Sequence, residues 1–307
     1  MSDSYHRLDA LAEKLGCPVL RDEPMSRHTT FRIGGPADRL VKAPSLAALR
    51  QLLALLREER LSLLVLGNGS DLLVADKGIR GVVLALEGDF KAVTLGPDGR
   101  TMTAGAGASL STLCAAARDR SLTGLEFAWG IPGSVGGGVR MNAGAYGGEL
   151  KDVLVCVTHL TREGKVETLP VEALDLSYRH SRYTDTEDVI LSADFRLAPG
   201  DPAAIAGQMD DLMGRRKAKQ PYDMPSAGSV FKRPVGGYAS ALVDQCGLKG
   251  ASVGGAQVSP KHAGFIVNTG GATCADVLAL VERIQREVRA QTGVSLECEI
   301  IPVGDLS

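Results

Sequence analysis

The residues that most clearly suit chemistry lie in a glycine-rich stretch, residues 130–149, which reads G-I-P-G-S-V-G-G-G-V-R-M-N-A-G-A-Y-G-G-E. Eight of these twenty residues are glycine, and each glycine costs backbone entropy when it is ordered. A flexible linker would be rich in glycine and serine, whereas Ile131, Val135 and Met141 are interleaved here. The pattern therefore predicts a folded loop whose backbone turns through positive φ and approaches a ligand closely.

A second glycine loop, Gly67–Asp71 with the sequence G-N-G-S-D, directly follows the buried strand candidate Leu61–Leu66. Neither loop matches the P-loop pattern, and neither forms a convincing G-x-G-x-x-G dinucleotide fingerprint. Two loops rich in backbone N–H groups would suit an extended ligand with a pyrophosphate in its middle. Two tight structural turns explain the same composition equally well, so glycine content alone leaves both interpretations open.

Length, charge and composition limit the class of protein. The 307 residues suggest two or three domains, and the formal charge of −2 argues against a nucleic-acid partner. No run reaches the roughly eighteen apolar residues of a membrane span, and the N-terminus lacks a signal peptide's apolar core, so we expect a cytoplasmic protein without membrane insertion. The six cysteines form no C-x-x-C pair and the five histidines are scattered, which predicts no metal site.

Capping signals mark helices that could position these loops. Ser45 and Ser109 each precede a segment with apolar residues at helical spacing, which predicts a helix N-terminus at both. The clearest signature is Thr273-x-x-Asp276, a capping box that predicts a helix ending near Gly293.

Strand signals surround these helices. The run Thr29–Pro36 mixes β-formers with a Gly-Gly-Pro break and predicts a strand followed by a turn. The run Leu296–Pro302 predicts a closing strand, on which Glu297 and Glu299 would share one face. A hairpin is expected around Pro97-Asp98-Gly99. Further strands are expected at Val153–Leu160, Val166–Leu169 and Val189–Leu197.

Several ordered sequence blocks are more specific than the composition. They read T-T-F-R-I-G-G-P-A-D from Thr29, L-G-N-G-S-D-L-L-V from Leu66, M-N-A-G-A-Y-G from Met141, Y-R-H-S-R-Y from Tyr178, A-G-S-V-F-K-R-P from Ala227, G-L-K-G from Gly247, G-G-A-Q-V-S from Gly254 and L-E-C-E from Leu296. Together with the 130–149 stretch, they resemble the UDP-N-acetylenolpyruvoylglucosamine reductase family. The resemblance covers about residues 25–304.

The resemblance implies an α+β fold with a two-part FAD-binding domain of the vanillyl-alcohol oxidase type and a smaller α/β substrate-binding domain. Residues 1–86, joined by a C-terminal strand at 295–307, would form the first flavin subdomain. Residues 87–199 would form the second, and residues 200–294 the UDP-sugar domain. The implied cofactor is FAD, and the residues expected to bind it are Arg32, Gly67, Asn68, Gly69, Ser70, Asp71, Gly130, Ser134, Gly136, Gly137, Asn142, Ala143 and Gly144.

The family reaction defines the small-molecule partners. NADPH would reduce the flavin and leave, after which the enolpyruvyl ether of UDP-N-acetylglucosamine would enter the same site. Hydride would pass to the terminal methylene carbon, and protonation of the carbon beside the carboxylate would give UDP-N-acetylmuramate for peptidoglycan synthesis.

This chemistry requires two kinds of group. Negative charge develops on the carbon beside the carboxylate, so a fixed cation or hydrogen-bond donor is needed, followed by a positioned acid. Arg179 is similar to the family arginine that meets the substrate carboxyl group, a bidentate task that suits a guanidinium. Ser229 is similar to the family serine that donates the proton, and Glu299 to the glutamate that acts with the arginine. Without the motifs, these would be read as a surface arginine, a turn serine and an exposed carboxylate.

The resemblance also suggests residues for the UDP-sugar, namely Lys219, Lys232, Arg233 and Gln257. Lys232 is close enough in sequence to Ser229 to influence the serine hydroxyl. The segment between Arg179 and Ser229 has no room for the extra insertion and tyrosine clamp of the longer family subtype, so the chain is similar to the shorter subtype.

Two other functions compete with this interpretation. Another FAD oxidoreductase of the same fold, such as an alcohol or lactone oxidase, would have no carbanion to protonate and no need for the Ser229 and Glu299 pair. A nucleotide-binding module without catalysis would not need Arg179 together with both of them.

Overall fold

A computed structural model describes residues 2–307, and its helices begin where the sequence indicates caps. Ser45 Oγ accepts from Ala48 N at 3.4 Å, and Ser109 Oγ accepts from Thr112 N at 2.9 Å. Such caps involve residues three positions apart, so a short window of sequence predicts them. The helices are α1 (Ser2–Lys14), α2 (Leu46–Glu58), α3 (Leu110–Arg118), α4 (Val135–Arg140), α5 (Pro202–Lys219), α6 (Ala239–Gln245) and α7 (Cys274–Thr292).

The strands are mostly short, and they are distributed over several sheets. They are β1 (Val19–Pro24), β2 (Pro36–Ala43), β3 (Leu63–Leu66), β4 (Leu72–Val74), β5 (Ile79–Leu86), β6 (Val93–Leu95), β7 (Thr101–Gly105), β8 (Leu122–Thr123), β9 (Gly144–Ala145), β10 (Gly148–Glu149), β11 (Leu154–Leu160), β12 (Val166–Pro170), β13 (Val189–Arg196), β14 (Ala198–Pro199), β15 (Ser252–Val253), β16 (Ala256–Val258), β17 (Ile266–Asn268) and β18 (Ile301–Val303). The mixture of helices and mainly antiparallel strands confirms the α+β class.

The chain forms two compact units, of which unit 1 comprises the residues up to Leu20, Arg39–Asn68 and Gly81–Gly214. Its main sheet is antiparallel, with the order β12-β11-β13-β7-β6, and β6 and β7 form the predicted hairpin. Val157 on β11 and Phe195 on β13 are fully buried in its core. Because α4 packs against β7 and β13, this sheet positions the glycine-rich stretch.

Unit 2 comprises Arg21–Asp38, Gly69–Arg80 and Arg215–Ser307. The antiparallel sheet β15-β16-β17 and helix α6 pack against α7. Strand β18 pairs in parallel with β4, with Ile301 opposite Leu72. The division into three domains that the sequence suggests stays a prediction.

The predicted strand in Thr29–Pro36 is wrong. Residues 29–35 contain no strand, and β2 begins only at Pro36. Arg32 and Gly34 have φ values of 54° and 139°, which an extended strand cannot accommodate. The segment turns instead, and Thr30 N donates to Gly69 O at 3.2 Å.

The predicted closing strand, Leu296–Pro302, is also largely wrong. Only Ile301–Val303 forms a strand, while Cys298 makes an isolated antiparallel bridge with Phe231. The segment with alternating polarity therefore forms one isolated bridge followed by a short strand. Glu297 and Glu299 therefore do not lie on one face of a regular strand.

Helix α7 begins at two sets of caps. The predicted capping box is present, because Thr273 Oγ1 accepts from Asp276 N and the Asp276 carboxylate accepts from Thr273 N, each at 3.0 Å. In addition, Asp76 accepts from Cys274 N at 2.7 Å and from Ala275 N at 3.0 Å, although 198 positions separate the first pair. Helix N-terminal amides have no intrahelical acceptor, and a negative charge is favourable there. Asp76 thus fixes the start of the last helix.

Replacing Asp76 by alanine should lower the free energy of unfolding by about 1–2 kcal/mol, because two helix amides lose a charged acceptor. Asp119→Ala is the control, since the Asp119 carboxylate is exposed and pairs with the neighbouring Arg118. Urea unfolding followed by far-UV circular dichroism would measure both variants. Equal stability of the two would contradict the role given to Asp76.

Candidate functional site

The two predicted glycine loops meet in unit 1. A Cβ atom built on Gly67 would lie 2.3 Å from Ser134 Oγ, closer than any real contact. Next to it, Asn68 Nδ2 donates to Pro132 O at 2.9 Å. The absence of a side chain at Gly67 is therefore what allows these two segments to touch.

The glycine-rich stretch is more regular than the predicted loop, because it contains α4. Ser134 caps this helix by accepting from Gly137 N at 3.2 Å, and Ser134 is 2% exposed. Gly136 packs against Ala106, which a Cβ would approach to 3.0 Å. Gly137 instead faces outward and is exposed. Gly67 and Gly137 thus expose backbone next to the buried Ser134, an arrangement that fits a phosphate-bearing cofactor.

A tight hairpin follows α4. Strands β9 and β10 pair with Ala145 opposite Gly148, and the turn residues Tyr146 and Gly147 have φ values of 54° and 91°. Positive φ at both central positions is typical of a type I′ turn. At Gly144 a Cβ would lie 2.7 Å from Gly148 O. Packing of the hairpin therefore requires glycine at this position, in addition to any role in cofactor binding.

Asn142 lies between α4 and this hairpin, and its side chain is fully engaged. Its Nδ2 donates to Glu149 Oε2 at 2.7 Å and to Ser177 O at 3.2 Å, while its Oδ1 accepts from Lys151 N at 3.0 Å. Asn142 is also 1% exposed and has a φ of 41°. Any contact with a cofactor at this position would therefore fall to the backbone of Asn142 or Ala143. Gly130, at the start of the stretch, is buried with a φ of 80°.

Arg179 lies at the tip of a turn in unit 1. Ser177 and His180 exchange two backbone hydrogen bonds of 3.2 Å, which makes Tyr178 and Arg179 the turn residues. Arg179 has a φ of 56°, a left-handed value that costs a residue with a side chain roughly 1 kcal/mol. The guanidinium carbon lies 4.9 Å from the centre of the Tyr178 ring. The turn is therefore strained, and its two side chains stack on each other.

His180 braces the same turn. Its Nε2 lies 2.9 Å from Asp185 Oδ2, and its Nδ1 lies 3.2 Å from Asp175 O. The hydrogen bond with Asp185 raises the pKa of His180 above its ordinary value, and the one with Asp175 adds to this effect. The imidazole thus links the chain before the turn to the chain after it.

The remaining predicted cofactor residues, Arg32 and residues 69–71, belong to unit 2. Gly69 has a φ of 60°, and a Cβ there would lie 2.2 Å from His28 O. Asp71 O accepts from Ile301 N at 2.9 Å, and Ser70 is half-buried. Arg32 is exposed, and its carbonyl oxygen accepts from Asn268 Nδ2 at 3.4 Å.

Unit 2 brings Ser229 and Glu299 together, although they are far apart in sequence. Glu299 N donates to Val230 O at 2.8 Å, and Ser229 forms an antiparallel bridge with Phe265. Both candidate residues are half-buried. Among residues 2–307, no protein group forms a hydrogen bond with Ser229 Oγ, so this hydroxyl is available to a ligand.

The structure distinguishes the two glutamates that spacing alone could not. Lys232 Nζ lies 2.5 Å from Glu297 Oε1, and the Glu297 side chain is 73% exposed. Lys232 N also donates to Glu297 O at 2.9 Å. Glu297 is thus the surface partner of a lysine, which leaves Glu299 beside Ser229 as the candidate for chemistry.

The other predicted substrate residues are spread over unit 2. Lys219 is exposed at the end of α5, and Gln257 Nε2 donates to Ser252 Oγ at 3.2 Å. The Arg233 guanidinium carbon lies 4.6 Å from the centre of the Tyr238 ring, which is 61% exposed. The sequence assigned no role to Tyr238, because nothing local indicates that Arg233 stacks on it.

Two family models match the chain. One, described as an FAD binding domain, matches residues 37–170 and so includes Gly67, Asn68 and the whole glycine-rich stretch. The other, the C-terminal domain of UDP-N-acetylenolpyruvoylglucosamine reductase, matches residues 220–303 and includes Ser229 and Glu299. FAD is therefore the cofactor, while the roles of Gly67, Ser134 and Gly137 in binding it stay predictions.

Replacing Gly67 by alanine should lower the FAD content of the purified protein. The new methyl group would overlap Ser134 Oγ, so either the α4 cap is lost or the two loops separate. Gly207→Ala is the matched control, because a Cβ at Gly207 in α5 meets nothing within 4 Å. The ratio of flavin absorbance to protein absorbance would measure the effect. Full flavin content in Gly67→Ala would contradict the assigned contact.

Whole-chain comparisons agree with the two family models. The chain is 50% identical to the UDP-N-acetylenolpyruvoylglucosamine reductase of Levilactobacillus brevis over 94% of this chain and 93% of that relative. It is 47% identical to the reductase of Geobacillus kaustophilus over the same shares. The crystal structure of the Thermus caldophilus reductase is 35% identical, with a TM-score of 0.81 over 93% of this chain and 99% of that one. The chain therefore belongs to the UDP-N-acetylenolpyruvoylglucosamine reductase family of flavin-dependent oxidoreductases.

Proposed function

We propose that this enzyme uses NADPH and FAD to reduce the enolpyruvyl ether of UDP-N-acetylglucosamine to UDP-N-acetylmuramate. The observation that best supports the proposal is that the segments of Ser229 and Glu299 lie side by side in unit 2. Their segments are joined by the hydrogen bond from Glu299 N to Val230 O. A hydroxyl that no protein group engages, beside a half-buried carboxyl group, suits delivery of a proton to a bound molecule.

The reaction would leave negative charge on the substrate carbon beside the carboxylate. Bound FAD supplies the hydride for this reduction. In our proposal, Arg179 binds the substrate carboxyl group and stabilises the developing charge, for which a permanently charged guanidinium is suited. Its left-handed backbone is consistent with such a role, because strained residues cluster at functional sites.

Ser229 would then donate the proton to that carbon. Glu299 would assist, either by hydrogen bonding in its protonated form or by holding the proton that replaces the one lost by Ser229. This division of roles explains why an acyl-transfer triad is not needed, since no covalent bond to the serine forms. It also separates the reaction from that of an oxidase, which has no carbanion to protonate.

The diphosphate and sugar would be bound by Lys219, Lys232, Arg233 and Gln257. Lys232 would have to exchange its partner Glu297 for the substrate. That exchange costs little, because exposed ion pairs contribute only about 0–1 kcal/mol. Arg233 is already stacked on Tyr238, which keeps its guanidinium extended and exposed.

The proposed partners are the two small molecules, NADPH and the UDP-sugar, and the proposed location is the cytoplasm. Among residues 2–307, no helix has both the length and the apolar character needed to cross a bilayer.

The overall reaction can be tested by following NADPH absorbance. We expect rapid NADPH oxidation only when the enolpyruvyl ether of UDP-N-acetylglucosamine is present, with UDP-N-acetylmuramate as the product. UDP-N-acetylglucosamine without the enolpyruvyl group is the control. Fast oxidation with oxygen alone would favour the oxidase alternative, and bound nucleotide without turnover would favour the binding module.

The role of Ser229 can be tested separately. Ser229→Ala should keep flavin reduction by NADPH within about twofold, while reoxidation by the enolpyruvyl substrate falls by at least roughly 10²-fold, since a general acid contributes about that much. Ser240→Ala, in α6 of the same unit, is the control. Stopped-flow flavin absorbance would resolve the two half-reactions. Equal slowing of both half-reactions would contradict the role of Ser229 as the proton donor.

A further inference from the structure

The turn that carries Arg179 is held on both sides by the glycine-rich stretch. On the side before the turn, Asn142 Nδ2 donates to Ser177 O at 3.2 Å. On the side after it, the Arg140 guanidinium donates to the carbonyl oxygens of Tyr183 and Thr184, the second at 3.2 Å. Two residues that are two positions apart at the end of α4 therefore clamp the turn from both sides.

Further contacts strengthen the clamp on the later side. Ser181 Oγ donates to Arg140 O at 2.8 Å, and Thr184 Oγ1 donates to the same oxygen at 3.4 Å. Tyr183 is 1% exposed, and its hydroxyl lies 3.1 Å from Nδ1 of the fully buried His159. Burial raises the pKa of Tyr183 and lowers that of His159. The pair is therefore a neutral anchor that holds this segment on the sheet.

Arg140 is suited to this task by its shape. A guanidinium presents several N–H donors in a rigid planar fork, so one side chain can bind two neighbouring carbonyl groups at once. A lysine has a single ammonium group on a flexible stem and cannot reproduce that geometry. Arg140 also belongs to the stretch whose Ser134 and Gly137 fit the cofactor. Its backbone thus links the flavin surface to the Arg179 turn.

We propose that Arg140 is a positioning residue, which holds the strained Arg179 turn in register with the flavin-binding stretch. The inference rests on the proposed function, because it concerns where Arg179 meets the substrate carboxyl group. In this proposal the guanidinium of Arg140 binds protein carbonyl groups, not the substrate or the flavin. Its effect passes through the Ser181–Thr184 segment, with Asn142 fixing the opposite side of the turn.

The proposal predicts an effect on one half-reaction only. Arg140→Met keeps the length and the apolar contacts of the stem but removes both donors. Reoxidation of the reduced enzyme by the enolpyruvyl substrate should slow by roughly 10- to 100-fold, because small misplacements of a catalytic group have effects of that size. Flavin reduction by NADPH should change by less than about threefold, and Arg140→Lys should be nearly as slow as Arg140→Met in reoxidation.

A double-mutant comparison separates positioning from general stability. If Arg140 acts through Arg179, then adding Arg140→Met to Arg179→Ala should slow reoxidation no further. Arg196→Ala is the matched control, because Arg196 belongs to the same unit, is 60% exposed and pairs with Asp98. Melting temperature and flavin content should be recorded for each variant.

Three outcomes would overturn the inference. The first is equal slowing of both half-reactions, and the second is additive effects in the double variant. The third is loss of flavin and of folding in both Arg140→Lys and Arg140→Met, because that result would make Arg140 a general stability residue. A parent enzyme whose reduced flavin is not reoxidised by the sugar nucleotide would instead contradict the proposed function itself. The two failures are therefore distinguishable.

Discussion

Close approach of one backbone to another is the physical constraint on which unit 1 depends. A Cβ at Gly67 would lie 2.3 Å from Ser134 Oγ, and one at Gly105 would lie 2.1 Å from Phe90 O. Side chains at these points would separate the sheet, the first loop and α4. Gly67 and Gly137 also leave backbone exposed beside the buried Ser134 hydroxyl, and exposed backbone of this kind is suited to a diphosphate. The glycines that packing requires are therefore among those predicted to bind the cofactor.

In unit 2 the constraint is different, because pairing between remote segments brings the reactive groups together. Ser229 is held by a bridge to Phe265, and Glu299 is held by a backbone hydrogen bond to Val230. Behind them, α7 supplies the apolar face on which these short segments pack. Lys232 and Glu297 belong to the same paired segments, but their side chains meet at the surface. The geometry of the candidate acid is thus set by backbone pairing, while the surrounding charges can still change partners.

The parts of the fold that sequence predicted are those with local causes. The caps at Ser45, Ser109 and Thr273 depend on a residue three positions away, so a short window contains all the information. The strand expected at Thr29–Pro36 failed because the segment is shaped by distant partners, Gly69 among them.

The same distinction between local and distant causes applies to the candidate site. Motif blocks predicted Arg179 and Ser229 as site residues, but no pattern indicated that Arg140 would bind the carbonyl groups of Tyr183 and Thr184. Unit 2 is also discontinuous in sequence, so its parts are synthesised at different times. The partners of Asp76 and β4, namely α7 and β18, are synthesised much later than these residues, since 198 positions separate Asp76 from Cys274. Until then, β4 lacks its parallel neighbour, and an unpaired strand edge is prone to pair with other chains. We therefore expect nascent and C-terminally shortened chains to depend on chaperones, whatever the intrinsic stability of the completed protein.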